Sequence, residues 1–204
     1  YNPNIGATSS DACVTADVGY YVASNAQSSQ TACALSTYQA NSGQDHCDDA
    51  DTGYFVNQTA QSAQIPCSVG TYQASTGQTS CDDADAGYFV NQTAQSAQIP
   101  CPVGTFQNET EQVDCRPAEW GHYANETGQA NQTACLEGSY NPDNGSIAPT
   151  DCRPADIGHF VNETGRYNQT ECAIGTLQNQ TGQSSCLNAS RGSYVSLVGQ
   201  STEV

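Results

Sequence analysis

Cysteine spacing constrains this chain more than any other feature. Cysteines stand at 13, 33, 47, 67, 81, 101, 115, 135, 152, 172 and 186, and the gaps alternate 20 and 14 except for a single 17 before Cys152. The coarse repeat is therefore 34 residues, within the range of solenoids and arrays. Two copies are nearly identical. "CDDADTGYFVNQTAQSAQIPC" (Cys47 to Cys67) and "CDDADAGYFVNQTAQSAQIPC" (Cys81 to Cys101) differ only at Thr52 against Ala86. Repeats fall at 14–47, 48–81, 82–115, 116–152 with a 3-residue insertion, and 153–186, flanked by partial repeats 1–13 and 187–204.

A 17-residue module lies beneath that period. Counting from Cys67 as position 0, Gly70 is at +3, Tyr72 at +5, Gln78 at +11 and Cys81 at +14. Counting from Ala84, Gly87, Phe89, Gln95 and Gln98 fill the same positions, so Ala and Gln stand where the cysteines were. Modules start at Ala16, Cys33, Ala50, Cys67, Ala84, Cys101, Ala118, Cys135, Ala155, Cys172 and Ala189. Position +3 is Gly in ten of the eleven, Ser36 being the exception, and +5 is Tyr or Phe in ten, Leu177 being the other.

Composition sets a limit on the core. Leu, Ile, Val and Phe make 27 of 204 residues, about 13%, and the net charge is -17. Such a chain is expected to be disordered unless something other than apolar burial holds it. Disulfides fill that role in small extracellular units. The chain has no C-x-x-C pair and no histidine in a ligand pattern with cysteine, so zinc is not expected. Disulfides formed in an oxidising compartment are.

Loop-closure entropy differs by only about 0.3 kcal/mol between closing the short and the long gaps, so it does not choose the partners. The register does. The +0/+14 relation recurs in modules with and without sulfur, which marks it as the motif's spatial contact. The pairs expected are Cys33–Cys47, Cys67–Cys81, Cys101–Cys115, Cys135–Cys152 and Cys172–Cys186. Cys13 is left over; "YNPNIGATSSDAC" matches "YNPDNGSIAPTDC" at 140–152, so its partner is expected before residue 1 and the array is expected to run past both ends.

Gly at +3 supplies a backbone position of positive φ or close approach. A short β-favouring run such as "YFV" or "TYQ" follows, then a polar turn such as "NQTAQ". Each module reads as a hairpin-like loop clipped at its base and carrying one large apolar side chain. Stacked modules are expected to form a thin ladder of aromatics and disulfides. In the Ala/Gln modules, Ala is expected to pack closely while Gln bonds the backbone across the gap. The fold class expected is small and disulfide-rich, mostly irregular with short β-hairpins, in an elongated tandem-repeat rod.

The runs "CPVGTFQNETEQVDC" (101–115) and "CSVGTYQASTGQTSC" (67–81) resemble the cysteine-rich repeats of the TNF-receptor and ephrin-receptor-like class. The resemblance covers nearly the whole chain. It departs at Ala50/Gln64 and Ala84/Gln98, where that class often carries a second cysteine pair. It implies an elongated rod with little regular secondary structure and matches the pairing given above. "ADAGYYV"-type arrays are also similar to those of secreted or surface proteins of marine microbes. Such modules serve receptors, adhesins and inert stalks alike, so function does not follow from them.

Asn-x-Ser/Thr sequons occur at Asn57, Asn91, Asn108, Asn125, Asn131, Asn144, Asn162, Asn168, Asn179 and Asn188. Asn57, Asn91, Asn108, Asn125, Asn162 and Asn179 share the +7 register, on the turn, where a repeated N-linked coat is expected. Asp48, Asp49 and Asp51, with Asp82, Asp83 and Asp85, offer hard oxygens for calcium, but the other ligands of a known loop are missing. Solvated acidity is the expected role, and no metal or other cofactor is expected. His122 and His159 at +4 read as exposed polar filler.

Twenty-one acidic residues against four basic ones argue against a nucleic-acid partner. No apolar run approaches the roughly 18 residues that span a membrane. No catalytic constellation emerges, so the chain is not expected to be an enzyme. The expectation is a structural extracellular protein: a glycosylated, disulfide-clipped rod in a surface fibre, filament or stalk, with copies of itself or further repeats as partners. The alternative is a receptor-like or adhesive ectodomain. Trp120 and the tail "SYVSLVGQSTEV" are its best contact residues, and Val195, Leu197 and Val204 are candidates for a strand docking onto a neighbour.

Overall fold

The computed structural model describes residues 1–204. It contains ten two-stranded antiparallel hairpins, each strand two residues long, and two single-turn 3-10 segments at Ser10–Ala12 and Pro149–Asp151. The fold is disulfide-rich, otherwise irregular and built from tandem repeats. The chain forms two compact units: Tyr1–Asp85 with Phe89–Ile99 and Thr110–Val113, and Ala86–Tyr88 with Pro100–Glu109 and Asp114–Val204.

Within a module the strand at +4 and +5 pairs with the residues at +15 and +16. Thr37 faces Asp49 and Tyr38 faces Asp48; Tyr123 faces Thr133. The turn at +10 takes positive φ in every module, whether the residue is Gly128 (φ 72), Ala60 (φ 60) or Glu111 (φ 62). Position +3 also has positive φ, including Ser36 at 69°.

Neighbouring modules are joined by a recurring set of backbone hydrogen bonds. In the first compact unit the Gly19 N–H donates to the Gln39 carbonyl at 2.8 Å, the Gln39 N–H to Gln61 at 3.0 Å, and the Ala60 N–H to Cys33 at 2.9 Å. In the second, Gly121 donates to Asn141 at 2.8 Å, Gln107 to Gln129 at 3.1 Å and Gly128 to Cys101 at 2.8 Å. The rule is constant: +3 N–H to the next module's +6 carbonyl, +6 N–H to its +11 carbonyl, and its +10 N–H back to the +0 carbonyl. This bonding satisfies backbone groups that two-residue strands alone would leave open.

The +3 glycine has a second role. A Cβ on Gly53 would sit 2.2 Å from the carbonyl oxygen of Ala94, two modules on. In the other compact unit a Cβ on Gly87 would stand equally close to Gly128. At Gly53 and Gly87 glycine thus answers both φ and space, whereas Ser36 takes the same positive φ with a side chain.

In each unit the buried side chains are chiefly those at +0 and +6 rather than the aromatics. Ala50, Val56, Cys67 and Val90 are fully buried in the first unit, and Cys101, Gln107, Ala118 and Ala124 in the second. Most +5 rings are only half-buried, Phe106 and Leu177 being the buried members. The only aromatic pair in contact is Trp120 with Tyr167. The expected aromatic ladder is therefore absent. Alternation along the extended segment turns +6 inward and leaves +5 on the flank.

Candidate functional site

The base of each module is closed in one of two ways. Sulfur bridges join Cys33–Cys47, Cys67–Cys81, Cys101–Cys115, Cys135–Cys152 and Cys172–Cys186, with Cα–Cα distances of 5.6 to 5.8 Å. Cys13 is free and exposed. In the other modules Gln at +14 clasps the residue at +1. Gln98 Oε1 accepts the Asp85 N–H at 2.7 Å while its Nε2 donates to the Asp85 carboxylate at 2.7 Å. Gln30, Gln64 and Gln169 hold Asp17, Asp51 and Asp156 alike. Gln132 holds Glu119, and in the last module Glu203 takes the place of Gln, accepting the Ser190 N–H at 2.6 Å.

Sulfur-closed modules carry a second, buried amide at +6. Gln73 donates through Nε2 to the Ser80 carbonyl at 2.9 Å, and its Oε1 accepts the Ser75 N–H at 3.0 Å. Gln39, Gln107 and Gln178 repeat this geometry. Asn141, in the module with the insertion, instead donates to the His122 carbonyl and to Ser146 Oγ. No buried side-chain polar atom lacks a partner. The sequence reading missed these residues. Their signal is the strict alternation at +6, Gln or Asn with Cys and Val or Ala without.

The aspartates divide between two tasks. Asp51 and Asp85 anchor clasps, whereas Asp48, Asp49, Asp82 and Asp83 lie exposed on strands. No group of three or more His, Cys, Asp or Glu side chains is placed to hold a metal ion. His122 and His159 are half-buried rather than exposed filler, because each ring turns back to the carbonyl two residues earlier, Trp120 at 3.0 Å and Ile157 at 3.2 Å.

All ten sequon asparagines are exposed: Asn57, Asn91, Asn108, Asn125, Asn131, Asn144, Asn162, Asn168, Asn179 and Asn188. Asn57 shares a groove with Phe55, Ile65 and Pro66, and Asn179 shares one with Leu177 and Leu187. A separate shallow groove is lined by Glu119, Trp120, Asn144 and Tyr167, with Trp120 and Tyr167 ring centroids 6.2 Å apart. Both rings are more than half exposed.

The tail folds into the last module. Val195 is buried at the +6 position, and Tyr194 and Val204 exchange backbone bonds at 2.9 and 3.0 Å. That closure lies within the last module, and the side chains of Leu197 and Val204 are exposed. No helix is long and apolar enough to cross a membrane. No family model and no curated protein matches the chain, so the receptor-like resemblance rests on its motif alone.

Proposed function

We propose that this chain is a structural extracellular protein, a glycosylated repeat rod that forms part of a surface fibre, filament or stalk. The observation that carries this reading is the module-to-module bonding. Apart from the Asn141 side chain on the His122 carbonyl it uses backbone groups, so a module can be added with little new side-chain chemistry, and stability in such arrays is roughly additive per repeat. Five disulfides fit an oxidising, extracellular setting. Ten exposed sequons fit a sugar coat, and a net charge of -17 keeps near-identical chains from clumping. Copies of the chain, or further repeats, are its partners; nucleic acid is not. Its role is mechanical rather than enzymatic.

Electron microscopy of the native material tests this. Long uniform fibres whose density follows a 34-residue repeat support it, and dispersed particles without repeat overturn it.

A second reading has one observation in its favour. The exposed Trp120–Tyr167 pair sets aromatic rings at +2 and +12, positions where no other module has one, as a contact hot spot in a receptor-like or adhesive ectodomain does. Trp120→Ala abolishes ligand or surface binding under that reading and leaves fibres unchanged under the first.

A further inference from the structure

The residues at +5 and +7 vary together. All four phenylalanines of the chain, Phe55, Phe89, Phe106 and Phe160, are at +5 of modules whose +7 residue is a sequon asparagine. Leu177 precedes Asn179 in the same way, and Tyr123 precedes Asn125. The other modules hold Tyr21, Tyr38, Tyr72, Tyr140 and Tyr194 at +5, and none has asparagine at +7. A phenolic hydroxyl is thus mostly absent wherever a sugar could be attached two residues later.

Of the tyrosines without a sequon, Tyr21 faces Thr31 and Tyr140 faces Arg153. Tyr38 and Tyr72 face Asp48 and Asp82. Phe55 faces Ile65, Phe160 faces Thr170 and Leu177 faces Leu187, so the residue directly opposite +5 is not a carboxylate in these sequon modules. The surface beside the asparagine is correspondingly apolar. Phe55, Ile65, Pro66 and Asn57 line one groove of about 450 Å³.

We propose that the +5 ring is the seat of the first sugar carried by the +7 asparagine. The clearest case is Phe55 beneath a sugar on Asn57. The inference rests on the glycan coat proposed above. In forming the link, the Asn57 amide nitrogen takes the anomeric carbon of an activated glycosyl diphosphate, whose diphosphate leaves, and the amide proton passes to solvent. The attached sugar is held beside the ring by its own bond, so its effective concentration there is high. One face of a pyranose is a patch of C–H groups, which the negative face of an aromatic ring attracts and shields from water. A tyrosine hydroxyl or an opposing carboxylate would place a strongly hydrated group where the sugar has to lie. The sugar thereby covers rings that the fold leaves half-buried, supplying apolar contact from outside the polypeptide.

The test is to secrete the 204-residue chain from a host whose N-glycans begin with N-acetylglucosamine, and to trim each glycan enzymatically to that single sugar. Glycopeptide mass spectrometry then reads occupancy at Asn57. Proton NMR compares the N-acetyl methyl signal with that of a short unfolded glycopeptide. A thermal-melting cycle combines loss of the sequon (Thr59→Ala) with loss of the ring (Phe55→Thr). An upfield-shifted methyl signal, with a melting increment from the sugar that falls by half or more in the Phe55→Thr background, is the expected result. An occupied Asn57 with an unshifted methyl signal and an increment independent of Phe55 overturns the seat and leaves the glycan coat standing. An unoccupied Asn57 overturns both.

Discussion

The side-chain Nε2 of Gln107 donates to the backbone carbonyl of Asp114 at 3.0 Å, inside the loop that Cys101 and Cys115 close. Its Oε1 accepts the Glu109 N–H at 3.2 Å, and the side chain is almost wholly buried. One amide thus holds the two sides of the loop from within while sulfur holds them at the base. Removing a buried partner leaves the groups it served desolvated and unbonded, at about 1–3 kcal/mol each. Gln107→Ala is expected to destabilise the protein by about 3 kcal/mol, read from the denaturant midpoint. Gln98→Ala, at a half-exposed base where water replaces the lost bonds, costs about 1 kcal/mol. Equal losses at the two sites contradict the assignment.

The +3 glycines give a paired test. A Cβ at Gly87 meets the Gly128 carbonyl oxygen, whereas one at Gly192 meets nothing within 4 Å, although both residues have φ near 90°. Gly192→Ala therefore incurs only the conformational cost of a left-handed alanine, about 1 kcal/mol. Gly87→Ala adds a backbone clash and is expected to exceed about 3 kcal/mol. Thermal melts of the two variants decide it.

Opening one disulfide tests how local the stabilisation is. In the chain-entropy model a loop of this size contributes about 3 kcal/mol. The double variant Cys67→Ser, Cys81→Ser is expected to speed amide exchange at Ser75, whose N–H bonds Gln73 inside that loop. Exchange in the distant loop closed by Cys172 and Cys186 is expected to stay unchanged. Loss of protection throughout the chain contradicts module-by-module stability.

Acid acts on the closure of the last module. The Ser190 backbone N–H, and then its side chain, bond the Glu203 carboxylate and hold its pKa below the ordinary 4.5. A carboxyl whose folded pKa is depressed lends stability above its unfolded pKa, and that stability is lost as pH falls through the folded value. Exchange at the Ser190 amide is expected to lose its protection below about pH 4.5, beyond the intrinsic pH dependence of exchange. Glu203→Gln, which restores the clasp of the other modules, removes this dependence. His46 titrates with the opposite sign. Its hydrogen bond to Asp45 raises its pKa, so the small contribution of that exposed pair is present below the usual imidazole range and fades as pH rises through the raised value.

Much of the module is legible in sequence because its requirements recur at fixed positions. Gly121 has no substitute where a backbone carbonyl presses on it, so glycine recurs and marks the register. The +0/+14 relation is visible because Ala84 and Gln98 keep it without sulfur, and in the structure those ends are drawn together by the clasp on Asp85. The interior is less legible. Gln73 and Gln107 look like turn polar residues until the backbone folds around them, and a hydropathy reading sends them outward. Tyr72 and Phe89 draw attention as large apolar groups, yet both are only half-buried, and the buried +0 and +6 positions hold Ala, Cys, Val and a bonded amide. Sequons identify themselves by letter, but the link between Phe55 and Asn57 emerges only when modules are aligned and the shared groove is seen.

Alternating closures give the chain an uneven response to tension. A pull along the backbone parts the Gln64–Asp51 and Gln98–Asp85 clasps, which are hydrogen bonds, while the segments from Cys67 to Cys81 and from Cys101 to Cys115 are bypassed through sulfur. Of each 34-residue repeat, only the 20-residue gap between bridges can be drawn out, releasing at most about 70 Å of contour. The clasps re-form when the load is removed, and the covalent loops set where extension stops.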